Sequence, residues 1–284
     1  MKKELFKFGV NNSKLKNTIT FSKSSGLTCP GANECRAYAD MNAQGKRSVK
    51  RFKDTKFTCY SASLEALYPS LYNLTRHNTS LLNEYIKKDD FNGLVECLNA
   101  SLNKKRSKNI NLVRWNQSGD IYTRFELEAL KEVCNLNKDL TFYFYTKNLI
   151  LFDHNHSIPN NMKVTASYGG KYDYLIDRGY FKRFSKVVFS TNEAKILNLP
   201  IDTDDTHAYE DKGANGFALL LHGQQEKNTP SAIALREIKR NKKYKTLFDD
   251  IENLKKNKRY QVIEKNNHVI IKDNMTSLIH SKPI

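Results

Sequence analysis

The sequence predicts an α/β fold in which mostly parallel strands form a barrel or a partial barrel. Five strand-like segments are apolar and then end in polar or glycine-rich residues: 113–122 (VRWNQSGDIY), 141–148 (TFYFYTKN), 163–170 (KVTASYGG), 186–193 (KVVFSTNE) and 217–224 (FALLLHGQ). Helical patterns separate several of these segments, and regular β-α alternation favours parallel strands with right-handed crossovers. In such folds ligands bind at the carboxyl ends of the strands, where the polar residues occur.

Residues 1–224 are expected to form this α/β domain, with a cysteine segment, 29–59, near its start. A chain of 284 residues is long enough to bury a core of that size. Within the cysteine segment we predict a short helix over 33–42 and an exposed basic loop over 45–56. Residues 225–284 are expected to add a basic helix and a β-hairpin centred on Asn266 and Asn267, packed on the first domain.

The chain carries a formal net charge of +17. A field of this sign favours nucleic acid, nucleotides or acidic membrane surfaces as partners, although a Lys-rich composition also arises without any partner. At 39% hydrophobic and 27% charged residues, the composition is that of a soluble globular protein. No apolar run approaches the ~18 residues of a membrane span, and the first ten residues lack the apolar core of a secretory signal. We therefore expect a cytoplasmic protein that does not enter a membrane.

Three of the five cysteines have the sequence context of ligands. The other two lie on apolar faces of predicted helices, where free cysteine behaves as a small hydrophobic residue. Cys29, Cys35 and Cys59 lie in turn-rich sequence that presents their sulfur atoms. Three thiolates suit a [4Fe–4S] cluster with one open iron, which could bind a small molecule such as S-adenosylmethionine. The same cysteines with His77 could form a zinc site instead, and unliganded thiols are the third alternative.

The polar strand ends supply candidates for binding and catalysis. Titratable groups there could act as general acids or bases, and a lysine could anchor a carboxylate or a phosphate. Small polar residues and a glycine pair could hold a cofactor or form an anion-binding nest. The catalytic candidates are Lys147, Asp173 and His222, and the cofactor-binding candidates are Asn116, Ser118, Gly119, Asp120, Ser167 and Gly169. Each alone is also typical of a polar group satisfied within a tight turn, whereas together they favour a shared site.

Residues 201–213 form an acidic stretch within the basic chain. Its sequence TDDTH contains Asp204, Asp205 and His207, whose carboxylates and imidazole could bind a divalent metal, so His207 is a fourth catalytic candidate. A solvated loop or a helix N-cap explains the same residues equally well. His154 and His156 are expected to be surface loop residues.

The motifs, taken in order, resemble those of the phage proteins called the gene product 88 family. They are FGVNNSKL (8–15), TCPGANEC (28–35), FTCYSASLEA (57–66), SGDIY (118–122), FYFYTKN (142–148), TASYGGKYD (165–173), VVFSTNEA (187–194), IDTDDTHA (201–208) and ALLLHGQQ (218–225). Because they cover most of the chain, the resemblance is specific. It implies a phage or prophage origin rather than a particular reaction.

A second resemblance, to phage proteins similar to radical-SAM enzymes, concerns the chemistry. Those proteins have an early cysteine cluster, then a strand that ends in Ser-Asp or similar, then a strand that ends in Thr-Lys. The corresponding residues here are Cys29, Cys35 and Cys59, then 118–120, then Thr146 and Lys147. In radical-SAM enzymes a glycine-bearing strand end binds the amino group of the methionine moiety, which makes Gly119 and Asp120 the matching candidates. The usual signature places its cysteines in one short loop, whereas Cys59 here would have to return to Cys35 in space.

Three functional hypotheses follow. The leading one is a phage iron–sulfur enzyme of the radical-SAM type that acts on a nucleotide, a modified base or nucleic acid. The alternative is a basic nucleic-acid-binding protein with a structural zinc and no catalysis, which would use residues 46–56 and the helix over 236–258 as its contact surface. The third is a metal-dependent nuclease or hydrolase that uses Asp204, Asp205 and His207.

Overall fold

The computed structural model describes residues 4–10, 15–152, 157–213, 215–248, 255, 260–265, 268–273 and 278–283. The chain divides into two compact units, one up to Ala232 and one from Ile233 onward. Among the described residues, none of the helices has the length and apolar content that crossing a membrane requires.

The first unit alternates strands and helices, as the sequence predicts. Its strands are β1 Gly9–Val10, β2 Thr18–Ser22, β3 Ala37–Met41, β4 Arg47–Arg51, β5 Leu112–Ser118, β6 Thr141–Thr146, β7 Met162–Ser167, β8 Phe184–Val188 and β9 Phe217–Leu220. Its helices are α1 Tyr60–Leu67, α2 Pro69–Lys88, α3 Phe91–Asn103, α4 Arg124–Leu136, α5 Tyr174–Asp177, α6 Thr191–Ile196 and α7 Thr206–Tyr209. Short 3₁₀ turns cover Leu149–Phe152 and Asp211–Gly213.

A seven-stranded sheet in the order β1-β2-β5-β6-β7-β8-β9 forms the centre of this unit. Strands β2, β5, β6, β7, β8 and β9 are parallel and adjacent in chain order, and β1 pairs with β2 in the antiparallel sense. The prediction of an α/β fold with mostly parallel strands is confirmed. Within the described part of the chain β1 and β9 are the two edges of the sheet, and no pairing closes it into a barrel.

One face of the sheet is apolar and packs against helices α2, α3 and α4. Alternate residues of neighbouring strands point to this face because the side-chain period of a strand is two. Trp115 of β5 is fully buried there, and its ring lies 4.4 Å from that of Phe21 of β2. Phe142 and Phe144 of β6 extend the same layer. This layer is the main hydrophobic core. Because side chains alternate along each strand, the residues between these apolar ones point to the opposite face.

The opposite face of the sheet is polar although much of it is buried. The strand register gives the row-by-row pairs of this face, which are Arg114 with Tyr143, Tyr145 with Thr165, and Ser167 with Ser185. The hydroxyls of Thr165 and Ser185 and the Nε of Arg114 are buried without a hydrogen-bond partner. Buried polar atoms normally find partners, so this face differs from an ordinary core.

The sheet bends around its polar face. The rings of Tyr145 on β6 and Phe217 on β9 are 6.1 Å apart, although β7 and β8 lie between these strands. Neighbouring strands lie ~4.8 Å apart, so β6 and β9 would be about 14 Å apart in a flat sheet. Tyr143, Ala208 of α7 and Phe217 belong to one buried cluster, which shows that α7 packs within the curve.

The predicted helix over 33–42 is wrong. The chain instead forms a hairpin in which β3 pairs with β4 in the antiparallel sense, with Ala37 opposite Arg51 and Met41 opposite Arg47. Ala37 and Ala39 are fully buried, whereas Tyr38 between them and Asp40 after them are only half-buried. This period of two allows β3 to pack closely on α1. The basic loop predicted over 45–56 is therefore partly a strand.

The second unit contains most of helix α8 (Pro230–Phe248) and three strands, β10 Tyr260–Lys265, β11 His268–Asp273 and β12 Leu278–Pro283. The predicted hairpin is confirmed by the antiparallel pairing of β10 with β11, and β12 adds a third strand that the sequence reasoning missed. The predicted turn residues Asn266 and Asn267 lie outside the described residues.

A buried ion pair ties the end of β2 to helix α4. Lys23 directly follows β2 and is fully buried, and its ammonium pairs with Glu126 of α4. The same ammonium donates to the backbone carbonyl of Asp120 at 2.8 Å and lies 5.0 Å from the ring centre of Tyr122. Burial lowers the pKa of Lys23, and Glu126 opposes that shift. An ion pair without water around it stabilises the fold only while both members are present.

Replacing Lys23 by Met would leave Glu126 buried without its counter-charge. We expect Lys23→Met to lower the free energy of unfolding by about 3–5 kcal/mol. The double variant Lys23→Met/Glu126→Leu should recover most of that loss, because no unpaired charge remains in the core. Urea unfolding followed by circular dichroism measures both variants.

Lys212→Met serves as the matched control. Lys212 pairs with Glu210 at 3.0 Å, but both side chains are about half exposed, at 50% and 46%. Water and salt screen such a pair, so we expect a change in the free energy of unfolding much smaller than that of Lys23→Met. Equal losses in Lys23→Met and Lys212→Met would contradict a special role for the buried pair.

Candidate functional site

The segment that carries Cys29 and Cys35 lies directly on the carboxyl ends of strands β6 and β7. At Gly31 a Cβ atom would collide with the carbonyl of Lys147 and would lie 2.7 Å from the Cα of Asn148. At Gly170 a Cβ atom would lie 2.9 Å from the carbonyl oxygen of Gly31. Both neighbours are backbone and cannot swing away. Glycine at these two positions therefore permits the segment to approach the strand ends.

Backbone hydrogen bonds hold the same segment in place. The N–H groups of Asn33 and Glu34 donate to the carbonyl of Gly169 at 3.1 and 3.0 Å, and Lys171 donates to the carbonyl of Gly31 at 2.8 Å. Ala32 and Gly170 also form an isolated antiparallel bridge. The motifs TCPGANEC and GGKYD, although far apart in sequence, thus form one structure.

The β3–β4 hairpin returns the chain from Cys35 to Cys59. The N–H of Phe52, just after β4, donates to the carbonyl of Arg36 at 3.1 Å. The carbonyl of Glu34 then accepts from the N–H groups of Lys56 and Phe57 at 2.7 and 3.1 Å. The segment before Cys59 therefore runs alongside the segment that contains Cys35, despite the long separation in sequence.

The thiols of Cys29, Cys35 and Cys59 are half-buried, free of disulfides and close enough to influence one another. Burial raises the pKa of Cys29 well above its ordinary value, and the charges of Asp120, Cys59 and Cys35 raise it further. Burial, followed by the charge of Cys35, raises the pKa of Cys59 to about 11. The pKa of Cys35 is also raised by burial, whereas the positive charge of Lys147 lowers it. The charges of the three predicted cysteines thus act on one another, and the charge of Lys147 acts on Cys35.

The predicted zinc site is not supported by the arrangement of its ligands. Within the described ranges, no group of three or more His, Cys, Asp or Glu side chains is arranged to hold a metal ion. The ring of His77 has other partners, since its Nε2 contacts the carbonyl of Leu5 at 2.9 Å and its Nδ1 lies 3.3 Å from the carboxylate of Glu4.

Asp120 joins the ends of β5 and β6 rather than facing a ligand with a free carboxylate. One carboxylate oxygen accepts from the N–H of Ile121 at 2.8 Å and the other from the N–H of Lys147 at 2.9 Å. Burial raises the pKa of Asp120 to about 6, although these N–H groups favour the charged form. Gly119 lies against Lys23 and Thr28 of the loop after β2. Both residues therefore shape the strand end that the sequence singled out.

Glu65 is a site residue that the sequence reasoning missed. It lies on α1 and is fully buried, and one of its carboxylate oxygens accepts from the hydroxyl of Ser118 at 2.5 Å and from the N–H of Ser25 at 2.9 Å. Its other oxygen, Oε2, is buried without a hydrogen-bond partner. Burial raises the pKa of Glu65, and its charge contributes to the raised pKa of Cys59.

Lys147 contributes a positive charge to the same strand ends. Its side chain is 9% exposed, and its ammonium donates to the hydroxyl of Ser167 at 2.6 Å. Among the described residues no carboxylate lies within ion-pair distance of it. A buried ammonium whose partner is a neutral hydroxyl retains most of its capacity to bind an anion.

Asn116 interrupts β5 and is buried. Its backbone has a φ of 53°, in the left-handed region, where strand β5 shifts its register against β2. Both atoms of its side-chain amide are buried without a hydrogen-bond partner. A strained residue with an unsatisfied amide is typical of a ligand-binding position.

Asp173, a predicted catalytic residue, binds the backbone of the glycine turn that precedes it. Its two carboxylate oxygens accept from the N–H groups of Gly169 and Gly170, each at 2.9 Å. The predicted anion-binding nest of the glycine pair is thus already filled by the chain itself. A cavity of about 80 Å³ adjoins this turn, lined by Glu34, Phe57, Tyr168, Gly169, Asp173, Lys186 and Val187.

The acidic stretch does not form the predicted metal site. Asp205 pairs with Arg114 on the polar face of the sheet. His207 lies 3.3 Å from Asp202, and a carboxylate oxygen of Asp204 accepts from the N–H and hydroxyl of Thr206 at 3.1 and 2.7 Å. Since the three predicted ligands have separate partners, the metal-dependent hydrolase hypothesis has no assembled site among the described residues.

His222 lies at the end of β9 and contacts the start of α1. Its ring centre is 4.6 Å from that of Tyr60, whose hydroxyl donates to the carbonyl of Gln117 at 2.9 Å. The last parallel strand therefore reaches β5 through the residue that follows Cys59. His154 and His156 lie outside the described residues.

The candidate site thus comprises the thiols of Cys29, Cys35 and Cys59, whose charges act on one another, and two hydrogen-bonded pairs at the strand ends, Glu65 with Ser118 and Lys147 with Ser167. In the comparison with known protein families, a family model described as Gene product 88 matches residues 2–246. No curated protein and no solved structure matches the chain. The family match covers most of the sequence and includes every motif quoted above, so the chain belongs to the gene product 88 family of phage proteins.

Proposed function

We propose that the chain is an iron–sulfur enzyme of the radical-SAM type, with Cys29, Cys35 and Cys59 as ligands of a [4Fe–4S] cluster. The observation that carries this proposal is the β3–β4 hairpin. It brings Cys59 back to Cys35, which the spacing in the sequence left unexplained. Three cysteines that each bind a different iron need not point at one centre, whereas all ligands of a zinc ion lie within ~2.3 Å of it. A cluster therefore requires less convergence of the three sulfur atoms than a zinc ion does.

The sheet supports the proposal as a partial (β/α) barrel. Its six parallel strands run in chain order and bend around a polar face, as the contact between Tyr145 and Phe217 requires. The cysteine segment follows the first parallel strand, β2, and the sequence Ser118-Gly119-Asp120 ends the next one, β5. This order matches the layout of the radical-SAM-like phage proteins that the sequence resembles.

The residues beside the cysteines fit the amino-acid part of S-adenosylmethionine. That moiety carries an ammonium and a carboxylate, and the site offers the free Oε2 of Glu65 and the ammonium of Lys147. Oppositely charged groups bind each other strongly where water is excluded. We therefore assign the ammonium to Glu65 and not to Gly119 and Asp120, because the Asp120 carboxylate already bonds two backbone N–H groups. The amide of Asn116 supplies a further donor and acceptor.

A bound cluster and S-adenosylmethionine would supply one-electron reductive chemistry at the sulfonium. The residues of the chain would bind, orient and shield the reactants. Lys147 lies where its charge favours thiolate at Cys35, and it would offset the negative charge of a thiolate-ligated cluster. The polar face with Arg114, Thr165 and Ser185 is the surface left for the substrate. The net charge of +17 favours a nucleotide, a modified base or nucleic acid as that substrate.

Iron and acid-labile sulfide content tests the cluster. Protein purified without oxygen should contain about four iron and four sulfide per chain, with a broad visible absorption band. Replacing Cys29, Cys35 or Cys59 singly by Ala should remove most of both. Cys97→Ala and Cys134→Ala are the matched controls, since these cysteines are buried in α3 and α4, and both variants should retain iron. Wild-type protein without iron and sulfide would end the proposal.

The docking of the cysteine segment on β6 can be tested separately. Gly31→Ala places a Cβ against the backbone of Lys147, so the segment must lift from the strand end. We expect roughly half or less of the wild-type iron content, and faster labelling of Cys29 and Cys35 by a thiol reagent in the metal-free protein. Gly45→Ala, in the exposed turn of the β3–β4 hairpin, is the control: its φ of 75° strains an alanine locally, but a Cβ there meets nothing within 4 Å and cannot lift the segment. Identical iron content in both variants would show that the docking is not required.

Binding of S-adenosylmethionine tests Glu65 and Lys147. Glu65→Gln removes one charge and keeps the shape of the side chain, and Lys147→Met removes one charge and keeps most of the length of the side chain. We expect either change to weaken binding about tenfold or more, as the loss of a charged hydrogen bond does. Isothermal titration of the cluster-loaded protein measures the affinity, and Lys171→Gln, an exposed neighbour, should leave it unchanged. Unchanged affinity in both site variants would remove the assignment.

A further inference from the structure

The β3–β4 hairpin has one face on the protein and one face toward solvent. Ala37 and Ala39 are fully buried on the inner face, where β3 packs on α1. Because side chains alternate along a strand, Tyr38 and its register partner Lys50 lie on the outer face. Asp40 lies on the same face, where its carboxylate accepts from the N–H of Met41 at 3.0 Å.

The basic residues of the hairpin divide in the same way. Arg47 donates to the carbonyl of Ala66 at 3.2 Å, and Arg51 donates to the carbonyl of Thr55 at 2.5 Å and pairs with Glu226. These arginines therefore hold the hairpin on the rest of the unit. Lys46, Lys50 and Lys53 are exposed instead, and within the described ranges no carboxylate lies within ion-pair distance of them.

Two aromatic rings lie between these lysines and the cysteines. The rings of Tyr38 and Phe52 are 5.5 Å apart, and the guanidinium of Arg36 lies 4.1 Å from the ring centre of Phe52. Both rings are half-buried, so each still presents part of its surface to solvent. Arg36 is the residue directly after Cys35. The outer face of the hairpin is therefore adjacent to the cysteine segment, through the contact of Arg36 with Phe52.

We propose that the outer face of this hairpin, formed by Tyr38, Lys46, Lys50 and Phe52, together with Lys53 in the turn after β4, binds single-stranded nucleic acid. Exposed lysines contact the phosphates, and aromatic rings stack with unpaired bases, which a duplex keeps inside its own stack. The hairpin is inserted between Cys35 and Cys59, so a strand bound on it lies beside the cysteine site. The proposal names a substrate class for the proposed enzyme, but binding itself does not require the cluster.

The test compares two triple variants of equal charge. Lys46→Gln/Lys50→Gln/Lys53→Gln neutralises the hairpin, and Lys104→Gln/Lys105→Gln/Lys108→Gln neutralises three exposed lysines at the start of β5, the opposite end of that strand from the cysteines. Fluorescence anisotropy with labelled oligothymidylate, over a range of salt concentrations, measures the affinity. We expect the hairpin variant to bind about tenfold or more weakly at low salt, with a salt slope reduced by about two, since each phosphate contact contributes about 0.7. The control variant should bind like the wild type.

Stacking is tested by Tyr38→Leu and Phe52→Leu, which keep an apolar side chain but remove the ring. We expect each to weaken binding roughly tenfold with an unchanged salt slope. Equal losses in the two triple variants would show diffuse attraction to the net charge and overturn the proposal. Tighter binding to a duplex, or binding to anionic lipid vesicles but not to the oligonucleotide, would also overturn it. Iron content of the hairpin variants, which should stay at the wild-type value, separates this outcome from failure of the cluster.

Discussion

The contact between the cysteine segment and the end of β6 is the constraint on which the rest of the site depends. Gly31 and Gly170 have no side chains, so the backbone of the segment reaches the carbonyl of Lys147. At this short distance the carbonyl of Gly169 accepts hydrogen bonds from the segment, and the carbonyl of Gly31 accepts one from Lys171. A more distant segment could not make these bonds. Cys29 and Cys35 are thereby fixed relative to Lys147 and Ser167. A packed core supplies the rigid floor for this contact, because Trp115 and Phe142 hold β5 and β6 from the other face.

Some buried charged groups near the strand ends have a partner of opposite charge and others have only neutral hydrogen-bond partners. This difference separates groups with a structural role from candidates for binding a ligand. Lys23 and Glu126 are buried as a pair, so their charges are satisfied within the fold. The hydrogen-bond partners of Glu65 and Lys147 are neutral groups, and each side chain keeps a capacity to bind a charged group. Burying an unmatched charge is costly, and proteins retain such groups mainly where a ligand uses them. The same reasoning assigns Asp120 and Asp173 to structure, because backbone N–H groups already satisfy their carboxylates.

Much of the fold was predictable because strand ends repeat a simple pattern. An apolar run followed by polar residues identified β5, β6, β7, β8 and β9, and parallel order followed from the alternation with helices. The hairpin was not predictable, since alanines at 37 and 39 suit a helix by propensity and reveal their period of two only when packed on α1. Glu65 was missed because its place in an amphipathic helix gives no hint that Ser25 and Ser118 lie opposite. Contacts between segments that are far apart in the sequence produce no pattern in the sequence around either segment.

The hairpin also explains how a long insertion is compatible with a precise site. Hydrogen bonds from Phe52 to Arg36 and from Lys56 to Glu34 close the insertion at its base, so its length has no effect on the position of Cys59. Its inner face is constrained by packing on α1, whereas its outer face is free to carry lysines and aromatic rings. The packing of the inner face on α1 and the composition of the outer face are therefore independent of each other. In the proposed function, the insertion that separates Cys59 from Cys35 would also supply the surface that binds the substrate.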